Sequence, residues 1–180
     1  MIHKWIKTGE RLIDSFRIFD VSMVKRRHDL MNKESEFVVI NSPDWVNIIP
    51  ITKTGEIVLV RQYRHGSDSI TLEIPGGMVD RDEDHAAAAA RECIEETGYE
   101  GRELEYIGET MPNPAFMTNT CYSYHWKDCE LKYPQKLDTH EDIEIVTYPF
   151  EKVKKLIMEK KIQNSLVLTA FLFFSIKYKL

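Results

Sequence analysis

Five consecutive alanines, Ala86–Ala90, place the firmest constraint on how this chain folds. Alanine is the best helix former, so the run commits its segment to a helix. Asp84 stands where a capping residue belongs and Gly98 where a helix ends, which predicts a helix from about His85 to Thr97. The Pro75-Gly76-Gly77 turn breaks the segment that comes before it. One well-bounded helix therefore interrupts the middle of the chain.

Strand patterns occupy most of the chain on either side of this helix. Ile70, Leu72 and Ile74 alternate with polar residues, which is the pattern of a strand with one buried face. Other strands are predicted at Phe16–Val24, Phe37–Ile40, Val46–Ile51, Ile57–Tyr63, Leu104–Gly108, Cys121–Trp126 and Ile143–Tyr148. Further helices are predicted at Glu151–Lys160 and from Asn164 or Ser165 to about Lys177. This order of strands, helix, strands and two helices predicts a mixed α/β domain of the α+β kind.

The length of 180 residues suits one domain with a sizeable core and a small appendage. We expect residues 1–45 to form a small β element and residues 46–180 to form the main domain.

Charge and apolar content exclude several classes of function. Lysine plus arginine total 24 against 29 for aspartate plus glutamate, and the net charge of −5 argues against a nucleic-acid partner. The most apolar stretch, Leu166–Ile176, is too short for a membrane span, which takes about 20 apolar residues. The start of the chain lacks the apolar run of a secretory signal. Cys93, Cys121 and Cys129 fit neither a zinc site nor a disulfide framework, so we expect reduced thiols and a cytoplasmic protein.

Three carboxylates are spaced to share one face of the predicted helix. Glu92, Glu95 and Glu96 lie at positions i, i+3 and i+4, which brings neighbouring side chains within about 5–6 Å. Hard divalent cations such as Mg²⁺ prefer such an oxygen cluster. Gly76 and Gly77 permit a close backbone approach or a positive φ, so a carbonyl there could reach the same ion. The alternative is a solvated acidic helix surface, which leaves the spacing of the glycines unexplained.

The wider pattern resembles the Nudix box, the metal-binding motif of the Nudix hydrolases. Its fixed positions correspond here to Gly77, Glu83, Arg91, Glu92, Glu95, Glu96 and Gly98. The box expects a bulky aliphatic residue where Cys93 stands, a mild departure because cysteine behaves as a small hydrophobe.

The resemblance implies a Nudix-type mixed β-sheet sandwiched between helices, and a hydrolase that cleaves a nucleoside diphosphate linked to another group. It also implies that Glu92 and Glu96 bind Mg²⁺ or Mn²⁺, with Glu95 close by and the carbonyl of Gly76 as a further ligand. Glu83 and Arg91 would orient the loop and the helix. Gly77 and Gly98 would also have structural roles in the motif.

Residues outside the box resemble those of the ADP-ribose and nucleoside diphosphate sugar pyrophosphatases. The similarity rests on the strand Arg61-Gln62-Tyr63-Arg64, on Glu73 before the Pro75-Gly76-Gly77 turn, and on Pro114, which could instead belong to a rigid turn. Arg61 and Arg64 are three apart on a strand and therefore point to opposite faces. We expect only one of them to reach the substrate diphosphate, and favour Arg61.

The general base is less clearly marked. Members of this group often carry a glutamate five residues after the proline, where this chain has Asn119, which cannot act as a base. Glu141 lies in a later acidic loop before a predicted strand and is our first choice, with Glu95 second. The alternative for Glu141 is a solvated acidic loop.

The nucleobase and the assembly of the protein give weaker signals. Trp45, Trp5 and Phe116 could stack on a base, although each could equally belong to the core or to an interface. The resemblance implies a homodimer formed through residues 1–45, and Leu166–Ile176 could also serve as an interface.

Two alternative functions remain open at this point. One is a Nudix hydrolase that acts on nucleoside triphosphates or dinucleoside polyphosphates. The other is a non-catalytic nucleotide sensor, although such proteins usually lose the glutamates of the box.

Overall fold

The computed structural model describes residues 2–180. The strands are β1 (Trp5–Ser15), β2 (Asp20–His28), β3 (Glu34–Asn41), β4 (Trp45–Thr52), β5 (Glu56–Arg64), β6 (Ser69–Glu73), β7 (Gly76–Met78), β8 (Tyr99–Glu100), β9 (Glu103–Thr110), β10 (Cys121–Leu131) and β11 (Ile143–Pro149). The helices are α1 (His85–Thr97), α2 (Phe150–Met158) and α3 (Ser165–Tyr178). The chain divides into two compact units: Met1–Pro43 with Met111–Thr120, and Asp44–Thr110 with Cys121–Leu180.

The first unit is an antiparallel sheet in the order β1-β2-β3. The later segment of this unit joins it through hydrogen bonds between the backbones of Ile40, Phe116 and Thr118, at 2.7 and 3.1 Å. The predicted strand Phe16–Val24 is wrong in its first half, which forms the turn between β1 and β2. Phe16 and Phe19 face each other there at 5.1 Å, so aromatic residues that suggested a strand instead pack across a turn.

The second unit contains a mixed sheet in the order β11-β5-β4-β10-β8, with β6 on β5, β7 on β4 and β9 on β10. The pair β4–β10 is parallel, whereas the other pairs are antiparallel. The short strands β7 and β8 were not predicted, since β7 lies within a glycine turn and β8 spans two residues.

Helices cover both faces of this sheet. Ile48 points towards α1, where it packs with the buried residues Ala88 and Ala89. Its neighbour Ile49 points the other way and packs with residues of α2 and α3, among them Val153 and Phe171. A fully buried side chain of this size contributes about 1.5–3 kcal/mol. The expectation of a mixed sheet between helices is confirmed.

The alanine run forms the predicted helix, and α1 has the predicted bounds His85–Thr97. Its small side chains let the helix lie close to the sheet, because Ala88 and Ala89 are completely buried. Across residues 2–180, no helix combines the length and the apolar character that a membrane crossing requires.

Candidate active site

Both ends of α1 are held by the residues that the sequence marks. The Asp84 carboxylate accepts hydrogen bonds from the backbone N–H groups of Ala86 and Ala87, at 2.9 and 3.2 Å. Gly98 ends the helix at φ +71°, and a Cβ there would lie 2.0 Å from the carbonyl oxygen of Tyr133. Gly98 is therefore required both by its backbone conformation and by the lack of space.

Gly76 and Gly77 bring strand β7 against α1. The N–H of Gly76 donates to the Glu96 carboxylate at 3.0 Å, and a Cβ on Gly76 would lie 2.2 Å from the carbonyl oxygen of Val46. A Cβ on Gly77 would lie 2.4 Å from the carboxyl carbon of Glu92. Neither glycine has a positive φ. Close approach therefore explains both glycines, and it places the turn directly beside Glu92 and Glu96.

Replacing Gly77 with alanine is expected to reduce activity by about 10- to 10²-fold with little loss of stability. The new methyl group must push aside the carboxylate of Glu92, which is the end of a flexible side chain and an expected metal ligand, and shifts of an expected ligand typically have effects of this size. Because metal binding is expected to weaken, half-maximal activity should require a higher Mg²⁺ concentration than in the parent protein. Gly76→Ala provides the contrast, because its Cβ would meet backbone and should lower Tm. An unchanged Mg²⁺ dependence in Gly77→Ala would contradict this role of Gly77.

Arg91 ties the loop before α1 to the helix. It forms two hydrogen bonds with the Glu83 carboxylate, both at 2.9 Å, and donates to the carbonyl oxygen of Met78 at 3.0 Å. It also contacts the carboxylates of Glu92 and Glu95 at 2.9 and 3.2 Å. The hydrogen bond to Glu83, followed by those to Glu92 and Glu95, holds the pKa of Arg91 above its usual value. Arg91 thus lies at the centre of the acidic side chains of the motif.

Glu96 is the most enclosed of these carboxylates, with 4% of its surface exposed. Burial raises its pKa to about 8, the hydrogen bond from Gly76 opposes that shift, and the negative charges of Glu92 and Glu141 add to it. Burial likewise raises the pKa of Glu92, although its ion pair with Arg91 works in the other direction. A buried carboxylate and a half-buried one, both with raised pKa values, form a site that gains from a cation.

The donor chemistry fits a hard divalent cation, since Glu92 and Glu96 offer carboxylate oxygens beside a backbone turn. Within residues 2–180, no three carboxylate, imidazole or thiol groups converge tightly enough to hold a metal ion as the side chains stand. Arg91 occupies one oxygen of Glu92 and one of Glu95 with hydrogen bonds of 2.9 and 3.2 Å.

Arg64 and Glu73 form a partly buried ion pair next to this cluster. Arg64 binds both oxygens of Glu73, at 3.1 and 3.0 Å, and Glu73 is only 3% exposed. The side chains of Thr71 and Asn164 also donate hydrogen bonds to the Glu73 carboxylate, at 2.7 and 2.8 Å. Burial alone would raise the pKa of Glu73, but the hydrogen bonds and charge of Arg64 outweigh it, so the pKa is lowered.

The two arginines of β5 lie in different surroundings. Burial disfavours the charge of Arg64, but Glu73 outweighs that effect and the charges of Glu96 and Glu141 add to it, so the pKa of Arg64 is raised. Arg61 instead contacts Glu144 at 3.2 Å and the hydroxyl of Tyr148 at 3.3 Å. The geometry therefore favours Arg64, rather than Arg61, as the arginine beside the acidic cluster.

Arg61 lines a separate cavity of about 400 Å³. The walls of this cavity include Leu72, Tyr148, Lys152 and Lys161, which come from β6, β11, α2 and the segment after α2.

Glu141 lies in the exposed loop before β11. Its carboxylate accepts a hydrogen bond from the N–H of Asp138 at 2.9 Å, and its own N–H donates to the carbonyl oxygen of Asp138 at 3.0 Å. Its charge contributes to the raised pKa values of Glu92 and Glu96. The structure thus brings the loop carboxylate within electrostatic range of the helix carboxylates.

The remaining candidates occupy other places. Pro114, Trp5 and Phe116 line one cavity of about 470 Å³ in the first unit. Trp45 is half-buried at the start of β4. Asn119 is 2% exposed, and neither atom of its amide finds a hydrogen-bond partner among the described residues.

Sequence reasoning missed Thr71 and Asn164 as parts of the site. Asn164 was recognised only as a possible helix cap, a role it does fill by accepting from the N–H of Leu166 at 3.0 Å. Its contact with Glu73 joins residues 91 positions apart, and no local pattern could have indicated it.

The chain is similar to several known proteins. The NUDIX domain family profile matches residues 42–168. The methanol dehydrogenase activator of Bacillus methanolicus is 31% identical over 161 residues, which span 87% of this chain and 87% of the activator. The ADP-ribose pyrophosphatase of Bacillus subtilis is 26% identical over 146 residues, or 81% of this chain and 79% of that enzyme.

A solved structure of an ADP compounds hydrolase has a similar fold. It superposes with a TM-score of 0.85 and 21% identity, and the match covers 99% of this chain and 96% of that one.

Proposed function

Because this chain belongs to the NUDIX domain family, we propose that it hydrolyses the diphosphate linkage of ADP-ribose or a related nucleoside diphosphate sugar. The products are a nucleoside monophosphate and a sugar phosphate. The observation that carries the proposal is the intact acidic motif, in which Glu96 is enclosed between α1 and the Gly76 turn with Glu92 beside it. Similarity to the ADP-ribose pyrophosphatase of Bacillus subtilis supports the choice of substrate class.

The residues that would hold a metal ion are Glu92 and Glu96, with Glu95 and the carbonyl of Gly76 nearby. We propose Mg²⁺ or Mn²⁺, because carboxylate oxygens suit hard divalent cations. When bound, such an ion neutralises diphosphate charge and lowers the pKa of a coordinated water. Arg91 donates to Oε1 of Glu92, which would leave Oε2 for the ion, and it keeps its two hydrogen bonds to Glu83.

The side chains of this chain supply the remaining steps. Glu141 accepts a proton from the attacking water, with Glu95 as the second candidate for this role. The water oxygen forms a bond to one phosphorus, the bridging P–O bond breaks, and the other phosphate leaves with the electron pair. Arg64 neutralises charge on the diphosphate, held in position by Glu73.

A lysine in place of Arg64 is expected to raise KM by about tenfold or more. Lysine keeps the charge but loses the two-pronged contact with Glu73, and a charge-assisted hydrogen bond is worth about 1.5–3 kcal/mol. Steady-state kinetics of Arg64→Lys and Arg61→Lys test this directly. We expect Arg61→Lys to change KM by less than about twofold, because Arg61 faces Glu144 and Tyr148. The reverse ranking would restore Arg61 as the substrate arginine.

The reaction itself is tested by the identity of the products. The purified protein is incubated with Mg²⁺ and ADP-ribose, GDP-mannose or ATP in parallel, and products are separated by ion-exchange chromatography. We expect AMP from ADP-ribose or GMP from GDP-mannose. Release of pyrophosphate from ATP alone would replace this substrate class with nucleoside triphosphates, one of the alternative functions.

A nucleotide sensor that acts on a partner protein is the second candidate. One observation favours it: the relative from Bacillus methanolicus is named for activating a dehydrogenase. Tight nucleotide binding without cleavage of any substrate would support this candidate over the hydrolase.

We further propose a homodimer in the cytoplasm. Exposed apolar side chains support the dimer: Leu172 and Ile176 on α3 are 56% and 67% exposed, and Phe37 and Val38 on β3 are 40% and 50% exposed.

Cys93, Cys121 and Cys129 are free and buried, as expected where thiols stay reduced. Trp45, half-buried at the start of β4, is the proposed contact for the nucleobase.

A further inference from the structure

The segment that precedes the Glu141 loop is fastened to the C-terminal end of α1. The last carbonyl groups of a helix have no partners within the helix and need hydrogen bonds from elsewhere. Here the N–H of Lys136 donates to the carbonyl oxygen of Glu95 at 2.8 Å, and the side chain of Gln135 donates to the carbonyl oxygen of Glu96 at 2.7 Å. The backbone N–H groups of Lys132 and Tyr133 donate to the carbonyl oxygen of Gly98 at 3.0 and 3.1 Å.

Gln135 makes a second contact that concerns the loop itself. The same amide nitrogen that donates to Glu96 also donates to the carbonyl oxygen of Ile143 at 3.1 Å. Both partners are carbonyl oxygens, which can only accept, so the NH₂ end of the amide must face them. Ile143 is the first residue of β11 and directly follows the loop. One side-chain nitrogen therefore joins the two ends of residues 136–142 and ties both to α1.

Glu141 lies inside the loop that this nitrogen closes. Within the loop, a turn between Asp138 and Glu141 is held by hydrogen bonds of 2.9 and 3.0 Å. The remaining freedom of the Glu141 carboxylate relative to Glu92 and Glu96 then depends on how firmly the ends of the loop are held.

We propose that Gln135 is a positioning residue, which closes the loop of residues 136–142 onto the backbone of Glu96 and so fixes Glu141 relative to the acidic face of α1. The expected effect of Gln135 on catalysis rests on the proposed function, in which Glu141 is the general base. Its structural part, the tethering of the loop, stands independently of any activity.

Gln135→Met is the variant that tests this. Methionine has nearly the same length but no N–H donor, and Gln135 is exposed, so the change opens no cavity in the core. Gln135→Ala serves as a second variant without a long side chain. Lys132→Gln is the matched control, because its side chain pairs with Glu100 at 2.7 Å and its backbone contact with Gly98 is retained.

We expect Gln135→Met to lower kcat by about 10- to 10²-fold while KM changes by less than about threefold, since a misplaced reacting group can lose about 10²-fold in rate. The control should stay within about twofold of the parent protein. Introduced into a Glu141→Gln background, Gln135→Met should cause no further loss, because residues that act through one another are not additive. Equal losses in both backgrounds, or an unchanged kcat in the parent background, would overturn the proposal.

Hydrogen exchange provides a readout that does not depend on catalysis. In Gln135→Met, the amides of residues 138–142 should exchange faster, whereas those of α1 should exchange at the rate of the parent protein. Faster exchange throughout α1 would show that Gln135 merely caps the helix, and would overturn the proposal. A parent protein that cleaves no substrate would contradict the proposed function, while the exchange measurement would still decide whether Gln135 tethers the loop.

Discussion

Glu96→Gln is expected to reduce hydrolysis to the background rate while leaving the protein at least as stable as its parent. Glutamine keeps an oxygen that can accept the hydrogen bond from the N–H of Gly76, which is 3.0 Å in the parent, so the turn and the helix stay together. It removes a negative charge that burial disfavours, at a position only 4% exposed. It also removes a carboxylate that a divalent cation needs. Activity and stability therefore move in opposite directions.

The pH dependence of stability gives this prediction a second test. The pKa of Glu96 is about 8 in the folded protein against an ordinary value of 4.5, so the folded state binds more protons than the unfolded state between these values. The contribution of Glu96 to the stability of the metal-free parent should therefore fall as pH rises from about 4.5 to about 8. The neutral amide of Glu96→Gln does not titrate, and its stability advantage should grow over the same range.

Thermal unfolding in the presence of EDTA, with and without later addition of Mg²⁺, measures both effects. Mg²⁺ should raise the Tm of the parent and leave that of Glu96→Gln almost unchanged, because a ligand stabilises only the state that binds it. Full activity in the variant would eliminate Glu96 as a metal ligand. A strongly lowered Tm would instead mean that the charge of Glu96 is needed for folding.

Glu141→Gln is expected to lower kcat by about 10²- to 10⁴-fold, the range over which a general base contributes. Glutamine retains an oxygen that can accept from the N–H of Asp138, so the turn in the loop should persist. Because Glu141 is exposed, the change should leave Tm within about 1 °C of the parent value. Steady-state rates over a range of pH, together with a thermal melt, test the expectation.

Glu144→Gln is the natural control for this variant. It removes the same kind of carboxylate close by in the chain, but Glu144 is 63% exposed and pairs with Arg61 at 3.2 Å. We expect it to retain activity within about twofold. If Glu141→Gln behaves like this control, Glu95 becomes the candidate base, and Glu95→Gln is the next variant to measure.

Local signals made the helix of the motif predictable. The helix-forming alanines, the Asp84 cap and the Gly98 stop act over a few residues, and α1 begins and ends where they predict. Local strand propensity was misleading at Phe16–Phe19. Residues typical of a strand form a turn there, and the rings of Phe16 and Phe19 pack on each other. Propensity describes a residue in isolation, whereas that turn depends on what lies beside it.

Sequence spacing alone determined that Glu92, Glu95 and Glu96 share a helix beside a glycine turn, because a helical repeat converts spacing into proximity. It also determined that Arg61 and Arg64 would face opposite ways along β5. Only the tertiary structure decided that Arg64 is the one beside Glu96 and Glu141, since that depends on which layer covers each face of the sheet. The hydrogen bonds of Gln135 with Glu96 and Ile143 were likewise decided only by the tertiary structure. They arise where a loop packs on the end of a helix, and no periodicity in the chain records such a meeting.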